Sequence, residues 1–328
     1  MQSWPDIFSR FKDLNVLIIG DVMVDAYIWG AVERISPEAP VPIVTVKKRD
    51  YRLGGAANVG LNVLALGAKP LLCALAGQDE YGKRLLHLLD EKGMSKEGIV
   101  TTSARPTTIK ARVIAAHQHV VRIDEESEAS ASIQEEKQLL DRIEKLMPDC
   151  HVVIFEDYDK GVITPRLIEA TVKLAKAKGI PIVVDPKKRN FHNYQHITLF
   201  KPNLKELREG LKIDIDGADQ ASVNDAVELA KRKLGVEGVM LTLSEHGVFI
   251  DYEHQKLLLP AHKREISDVS GAGDTVISIA ALCVALHLDA ESIAALSNLG
   301  GGLVCQHVGV VPIDREELLR EAGELIPV

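Results

Sequence analysis

Asp268-Val269-Ser270-Gly271-Ala272-Gly273-Asp274 runs directly into the apolar stretch TVISIAALCVALHL. Three small residues at the start of a helix let backbone N–H groups approach an anion, and the helix dipole adds partial positive charge at the same point. A phosphate would be well held there. A carboxylate inside such a site is a poor phosphate ligand and a sensible proton acceptor, which points to Asp274 as a general base. The same residues also fit an ordinary glycine turn that caps a helix, with Asp274 as a first-turn partner of the dipole. Spacing by itself leaves both readings open.

Outward from this segment, short β-rich apolar runs recur at residues 16–19, 71–75, 152–155, 182–184 and 239–243, the first ending in Gly20-Asp21. Segments of helical period, such as IQEEKQLLDRIEKLM and ASVNDAVELAKRKLG, lie between several of them. Strands alternating with helices predict βαβ units and a mainly parallel sheet. Residues 40–49 and 107–123 break the rhythm, alternating or turning back like antiparallel ribbons, with His117-Gln118-His119 near the second turn. They read as one small β-sheet built from two insertions, at about 22–50 and 106–124. Exposed ribbon edges need cover, so this sheet is expected to act as a lid, a dimer surface, or both. The acidic stretch 124–128 reads as a solvated loop.

The chain has 328 residues, 46% hydrophobic and 26% charged, which suits one large folded unit with an appendage rather than disorder. A formal net charge of −8 argues against a general nucleic-acid binder. Cys73, Cys150, Cys283 and Cys305 are far apart and include no C-x-x-C pair, so neither a disulfide framework nor a zinc knuckle is signalled, and a reducing cytoplasm is the natural compartment. The N-terminus lacks the pattern of a secretory signal, and no apolar run approaches the ~20 residues that span a bilayer.

Residues 268–274 match D-x-x-G-A-G-D, the second signature of the ribokinase (PfkB) family, and Gly54-Gly55-Ala56-Ala57-Asn58 resembles the first, with a helix after it that ends at Gly67. The two stand far apart in the expected order, and the resemblance covers essentially the whole chain. It implies an α/β fold with a ribokinase-like three-layer αβα core, a mainly parallel sheet and a small β-sheet lid, in a single kinase domain over residues 1–328. It also implies ATP-dependent phosphorylation of a carbohydrate, with Asp274 as base and Gly271, Ala272 and Gly273 holding the transferred phosphate.

Further roles follow from the resemblance, each beside a plainer one. Asn203-Leu204-Lys205-Glu206 resembles the N-x-x-E motif that organises Mg2+ and its waters next to ATP; the same spacing makes a helix capping box, and both can hold at once. Thr242, Ser244, Glu245 and Gly247 resemble the strand-end loop lining the nucleotide, or form a plain hairpin turn. Asn298 lies on the helix that should pass near the adenine, or simply on a helix surface. Asp25 matches the family's ligand for sugar hydroxyls, beside Gly54, Gly55 and Asn58, while Asp21 reads more readily as turn chemistry. Glu156-Asp157-Tyr158-Asp159-Lys160-Gly161 resembles D-Y-x-K-G, which gives Asp157 and Lys160 a place facing the substrate, or in a solvated loop. Gly300-Gly301-Gly302 follows a helical pattern and is no dinucleotide fingerprint; His192 and His196 lack an H-E-x-x-H glutamate.

The stretch GDVMVDAYIWGAVERISPEAPVPIV goes beyond the family signature, because its run Arg34 to Pro42 resembles the heptose 7-phosphate kinases. This implies phosphorylation of D-glycero-β-D-manno-heptose 7-phosphate at the anomeric hydroxyl, giving the 1,7-bisphosphate for ADP-heptose and the lipopolysaccharide core. The substrate phosphate needs a cationic clamp, for which Arg34, Arg112 and Arg122 are candidates, although arginines on ribbons are also ordinary solvated residues. Expected partners are Mg2+ with ATP and a sugar phosphate, with room for a monovalent cation and a homodimer through the lid, and neither nucleic acid nor membrane. The end at Val328, soon after the last expected helix, leads us to expect a stand-alone kinase without a second domain.

Overall fold

Runs of Val, Ile, Leu and Phe bounded by turns can be buried on both faces, which is what a parallel sheet between two helical layers requires. The computed structural model describes residues 3–115 and 118–327 and shows this arrangement. Helix α1 (Trp4–Phe11), capped by Ser3, precedes β1 (Asn15–Gly20). The chain then leaves the core in a long hairpin, β2 (Val22–Ile35) and β3 (Pro42–Gly55), and re-enters it through α2 (Ala56–Ala65). Core elements β4 (Lys69–Gly77), α3 (Glu80–Glu91) and β5 (Ile99–Thr102) follow, then a second excursion, β6 (Thr108–Ala115) and β7 (Gln118–Glu125). Alternation resumes through α4 (Ile133–Leu146), β8 (Val152–Glu156), α5 (Pro165–Ala177), β9 (Ile182–Asp185), β10 (Leu199–Phe200), α6 (Leu204–Leu211), α7 (Gln220–Leu234) and β11 (Gly238–Thr242). A hairpin of β12 (Val248–Tyr252) and β13 (Gln255–Leu259) leads to α8 (Ala272–Ala285), α9 (Ala290–Val304) and α10 (Arg315–Leu325).

The large sheet has the order β13-β12-β11-β10-β9-β8-β1-β4-β5 and is parallel except where β12 and β13 turn back. Alternation along each strand assigns side chains to two cores. Val16 and Ile18 of β1, with Val152 and Ile154 of β8, pack beneath α1, α2, α8, α9 and α10. Leu17 and Ile19, with Val153 and Phe155, pack against α4, α5, α6 and α7. These are the three layers expected of the fold class. Gly300 and Gly301 serve this packing: a Cβ at Gly300 would lie 2.2 Å from Ile279, and one at Gly301 2.7 Å from Val276, so α8 and α9 come close only without side chains there.

The two excursions form one four-stranded sheet, β3-β2-β6-β7, in which β2 and β6 are parallel and both outer pairs antiparallel. Only Asp21 separates the end of β1 from the start of β2, so this sheet stands at the carboxyl ends of the core strands. The first excursion is longer than the sequence predicts, because the β2–β3 register continues to the pair Val22 and Gly55. His117, expected near the second turn, lies outside the described residues.

The root of the second excursion is tied to the core by Asp79. Its Oδ1 accepts the Gly82 amide at 2.7 Å, capping α3, and its Oδ2 accepts the Thr107 amide at 2.7 Å, just before β6. Burial favours the neutral acid, but the Thr107 and Gly82 amides outweigh it and lower the pKa of Asp79. Its contribution is therefore present above the ordinary carboxylate range and lost as pH falls through the depressed value. Asp79→Ala should cost about 1–2 kcal/mol in denaturant unfolding near neutral pH, with the gap to the unaltered protein narrowing in acid.

Candidate active site

Four apolar strands or runs end in a charged residue: LIIG-Asp21, VVIF-Glu156, IVV-Asp185 and TLF-Lys201. Register brings these ends together, since Gly20 pairs with Glu156 and Glu156 with Asp185, while the Lys201 amide bonds the Val184 carbonyl. Lys201 and Asp185, both buried, form an ion pair at 2.8 Å. Burial would lower the pKa of Lys201, but Asp185, Glu206 and Glu156 reverse the effect and raise it, so the ammonium is kept. A Cβ placed on Gly273 would lie 3.6 Å from Asp185 and 4.0 Å from Lys201, which puts this pair directly under the glycine turn. Glu156 is buried with Oε2 unpartnered; burial, then the charges of Asp185 and Asp274, raise its pKa well above normal.

Each residue of the first glycine motif has a steric or bonding reason. A side chain on Gly54 would place Cβ 2.1 Å from the Asp25 carboxylate, so its absence makes room for that group. Gly55 takes φ +58 beside the Asp21 carbonyl and starts α2. The helix then carries Asn58 to Asp274, donating from Nδ2 to Oδ2 at 2.6 Å. Tyr158 donates from its hydroxyl to Oδ1 of the same carboxylate at 2.7 Å. Asp274 stands in the first turn of α8 and is buried; Gly271, at φ +82, is its N-cap, and the Ala272 amide closes the turn on Val269 at 3.3 Å. Burial raises the pKa of Asp274; the bonds from Asn58 and Tyr158 oppose the rise, and the charges of Asp185 and Asp25 add to it. Burial that raises proton affinity, together with two hydrogen bonds to the charged form, is an environment in which a carboxylate can act as a general base.

On the lid side, buried Asp25 pairs with the Arg112 guanidinium. Tyr27 lies against both Arg52 and Arg112, at 4.7 and 5.4 Å from its ring centre. Its hydroxyl accepts the Val310 amide at 3.0 Å, while Arg52 donates to the Val310 carbonyl at 2.9 Å. The lid is thereby fastened to the loop after α9. That loop also packs Val310 against Gly271.

On the other side of the turn lies a cleft of about 680 Å³. Of the residues that the sequence predicts for a nucleotide site, Thr242, Ser244, Glu245, Gly247, Gly273 and Asn298 line it, while Gly271 does not. Pro260, His262, Arg264 and Ile266, from a stretch with no strand or helix pattern, also line it, and Cys305 joins them from the end of α9. Asn298 donates to the Pro260 carbonyl at 2.8 Å and so fixes that segment. Residues 242–247 are at once a hairpin connection and a cleft wall.

Asn203 and Glu206 form the capping box of α6, with bonds of 2.9 and 2.8 Å, and Glu206 also pairs with Lys187. Their oxygens are engaged, and neither residue lines the cleft. Among the described residues no group of three or more His, Cys, Asp or Glu is arranged to enclose a metal ion. The Asn203 and Glu206 side chains offer oxygen donors of the kind that suit a hydrated Mg2+ held through water.

Several expected contacts fall elsewhere. Asp157 is buried and saturated, accepting from Asn190 at 3.1 Å, Tyr194 at 2.7 Å and the Asp159 amide at 2.9 Å, so it supports the loop instead of facing the cleft. Lys160 pairs with Glu126 at 2.7 Å. Arg122 is largely exposed and pairs with Asp124 at 2.9 Å; Arg34 lies exposed near the hairpin tip, well beyond Arg112 along β2. The three arginines do not converge on one anion site. Asp21, read as turn chemistry, accepts three amides, from Tyr158 at 2.9 Å, Lys160 at 3.1 Å and Val162 at 3.0 Å. The contributions of Tyr158, Glu156, Asp185, Lys187 and Lys201 were missed; single charges ending apolar runs were the available signal for three of them.

The profile of pfkB family carbohydrate kinases matches residues 13–316. Among curated proteins, the bifunctional protein HldE of Wolinella succinogenes is 40% identical over 303 residues, covering 92% of this chain and 63% of the relative. That of Geotalea uraniireducens is 37% identical over 322 residues, covering 98% and 65%. The chain thus spans less than two thirds of the length of these relatives. Among solved structures, phosphofructokinase-2 from Escherichia coli in complex with substrates and products superimposes with TM-score 0.79 at 16% identity, covering 96% of this chain and 100% of that one. Arabidopsis thaliana ribokinase complexed with ribose and ATP gives 0.71 at 18%, covering 94% and 98%. At such identities the structural likeness speaks for the fold alone.

Removing the Asp21 carboxylate would strand three buried or partly buried amides. Asp21→Ala should lose roughly 3 kcal/mol in denaturant unfolding, and hydrogen exchange should quicken at the amides of Tyr158, Lys160 and Val162 before the sheet is affected.

Proposed function

Because the chain belongs to the pfkB family of carbohydrate kinases, we propose that it transfers the γ-phosphoryl group of Mg-ATP to the anomeric hydroxyl of D-glycero-β-D-manno-heptose 7-phosphate. The product would be the 1,7-bisphosphate, used in ADP-heptose synthesis for the lipopolysaccharide core, and the reaction would take place in the cytoplasm. The observation that carries the kinase reading is the position of Asp274 between the cleft, which Gly273 lines, and the lid side, where Asp25 and Arg112 stand. The choice of heptose rests on the Arg34 to Pro42 run and is supported by relatives named HldE.

ATP would lie in the cleft with its phosphates over the Gly271 to Gly273 turn, where Lys201 adds positive charge from below. The acceptor would stand under the lid with hydroxyls on Asp25. Its anomeric hydroxyl would attack in line as Asp274 takes the proton, so catalysis is mostly positioning and electrostatics. Asn203 and Glu206 would order the waters of Mg2+, and the lid would keep bulk water from the transferred group.

Asp274→Asn should preserve fold and ATP affinity while lowering turnover by at least ~10², the usual cost of a lost general base. For the acceptor, kcat/KM under saturating Mg-ATP should be highest with the heptose 7-phosphate. Unphosphorylated heptose should be at least roughly tenfold worse, since a site that pairs a phosphate is left with unpaired polar groups without it. Fructose 6-phosphate should also be a poorer acceptor, and Asp25→Ala should impair use of the heptose phosphate more than ATP binding. Equal values for the three acceptors would reject the heptose and leave the kinase.

The lid also supports a homodimer. Val121 and Ile123 lie opposite Val113 and Ala111 in register and share a face with them; they are 48% and 50% exposed, on an edge strand. Val46, Val32, Ile35 and Val41 add apolar surface toward the hairpin tip. An apolar, unpaired β edge of this kind is best covered by a second copy. Sedimentation at micromolar concentration should show a dimer, and Val121→Lys with Ile123→Lys should give a monomer.

A further inference from the structure

The carboxylate proposed above as the base is held at both oxygens. Asn58 takes one and Tyr158 the other, at 2.6 and 2.7 Å, and each oxygen keeps a lone pair for an incoming proton. Tyr158 is itself fixed from two directions. Its amide donates to Asp21 at 2.9 Å, and its ring lies under the Lys187 ammonium at 5.5 Å, which in turn pairs with Glu206. From this geometry we infer that Tyr158 is a positioning residue for the phosphoryl transfer, whose hydroxyl keeps Asp274 oriented and ionised among neighbouring negative charges. The inference rests on the reading of Asp274 as the base.

The physical need is plain from what surrounds Asp274. Asp25 from β2, Glu156 from β8 and Asp185 from β9 are close enough for their charges to act against its own. The nearby cations are committed: Arg112 to Asp25, Lys201 to Asp185 and Lys187 to Glu206. Hydrogen bonds to the charged form are then what hold a buried carboxylate ionised, and Tyr158 supplies one of two. Burial and the charges of Asp274 and Glu156 push the phenol's own pKa well up, so it remains a donor. In the reaction the acceptor oxygen bonds phosphorus, the bond to the leaving ADP oxygen breaks, and the acceptor proton passes to Asp274. Tyr158 keeps its proton throughout.

Tyr158→Phe removes the hydroxyl and retains the ring over which Lys187 lies. The measurement is kcat/KM for the preferred acceptor against pH, with ATP affinity determined separately by calorimetry. Without the hydroxyl the acidic limb should move to higher pH, giving a loss of about tenfold on that limb that closes toward alkaline pH, with ATP affinity unchanged. A purely structural role would instead lower the rate equally at every pH, and that result, or an unmoved profile, overturns the inference. Fluorotyrosine at position 158 donates more strongly and should move the same limb to lower pH; no movement there also overturns it, whether or not the phenylalanine variant folds. An inactive Asp274→Asn beside an unmoved limb in Tyr158→Phe removes only the tyrosine's role. Near-normal turnover of Asp274→Asn would remove the base, and this inference with it.

Discussion

Asp21 joins the parts of this molecule that must agree for a site to exist. Its amide donates to the Glu156 carbonyl at 3.2 Å and its carbonyl accepts the Ala56 amide at 3.0 Å, which fixes β1 against β8 and against the start of α2. Its side chain gathers the amides of Tyr158, Lys160 and Val162. One buried residue thus sets where the lid leaves the sheet, where α2 begins and how the loop after β8 turns. Burial, followed by the charge of Asp157, raises the pKa of Asp21, and the three amides work against the rise. Asn58 and Tyr158 reach Asp274 from two of the elements that Asp21 aligns.

A second constraint is charge held in little space. Three carboxylates and two ammonium groups crowd the carboxyl ends of β8, β9 and β10 and the first turn of α6, with bonds that pair Lys201 to Asp185 and Lys187 to Glu206. Such groups are costly to bury, and pairs of this kind are weak evidence for stability. Their location at the strand ends, beneath a glycine turn, fixes a field there in advance of any ligand, the arrangement that would need little reorganisation in a reaction at the turn. The glycines belong to the same economy of space. Gly54 admits the Asp25 carboxylate, and Gly273 leaves the space above Asp185 and Lys201 free of a side chain.

Much of this was legible in the chain. Apolar runs at 16–19, 71–75, 152–155, 182–184 and 239–243 all became core strands, because local hydrophobicity and β-branching act within a few residues. The capping box at Asn203 and Glu206 was readable for the same reason. The lid was legible as two ribbons, but the extension of β3 to Gly55 was not, since pairing with Val22 is a contact between distant residues. Within Glu156 to Gly161, motif reading favoured Asp157 and Lys160 as site residues. The fold turned Asp157 onto Tyr194 and Asn190, Lys160 onto Glu126, and Tyr158 onto Asp274. Neighbouring residues in a loop point in different directions, and sequence order does not say which one faces the cleft.

The sequence by itself determined the layers and the family, and it singled out Asp274 as a candidate, because these depend on periodicity and on short motifs whose geometry is local. Tertiary structure decided which partners that carboxylate would have. Asn58, Tyr158, Asp185 and Asp25 come from α2, the loop after β8, β9 and β2, and only the register of a parallel sheet brings them to one place. A hydrogen bond needs atoms within about 3 Å and in line. No pattern along a chain carries that information when the residues lie on separate strands and helices; it exists once the sheet has ordered its strand ends.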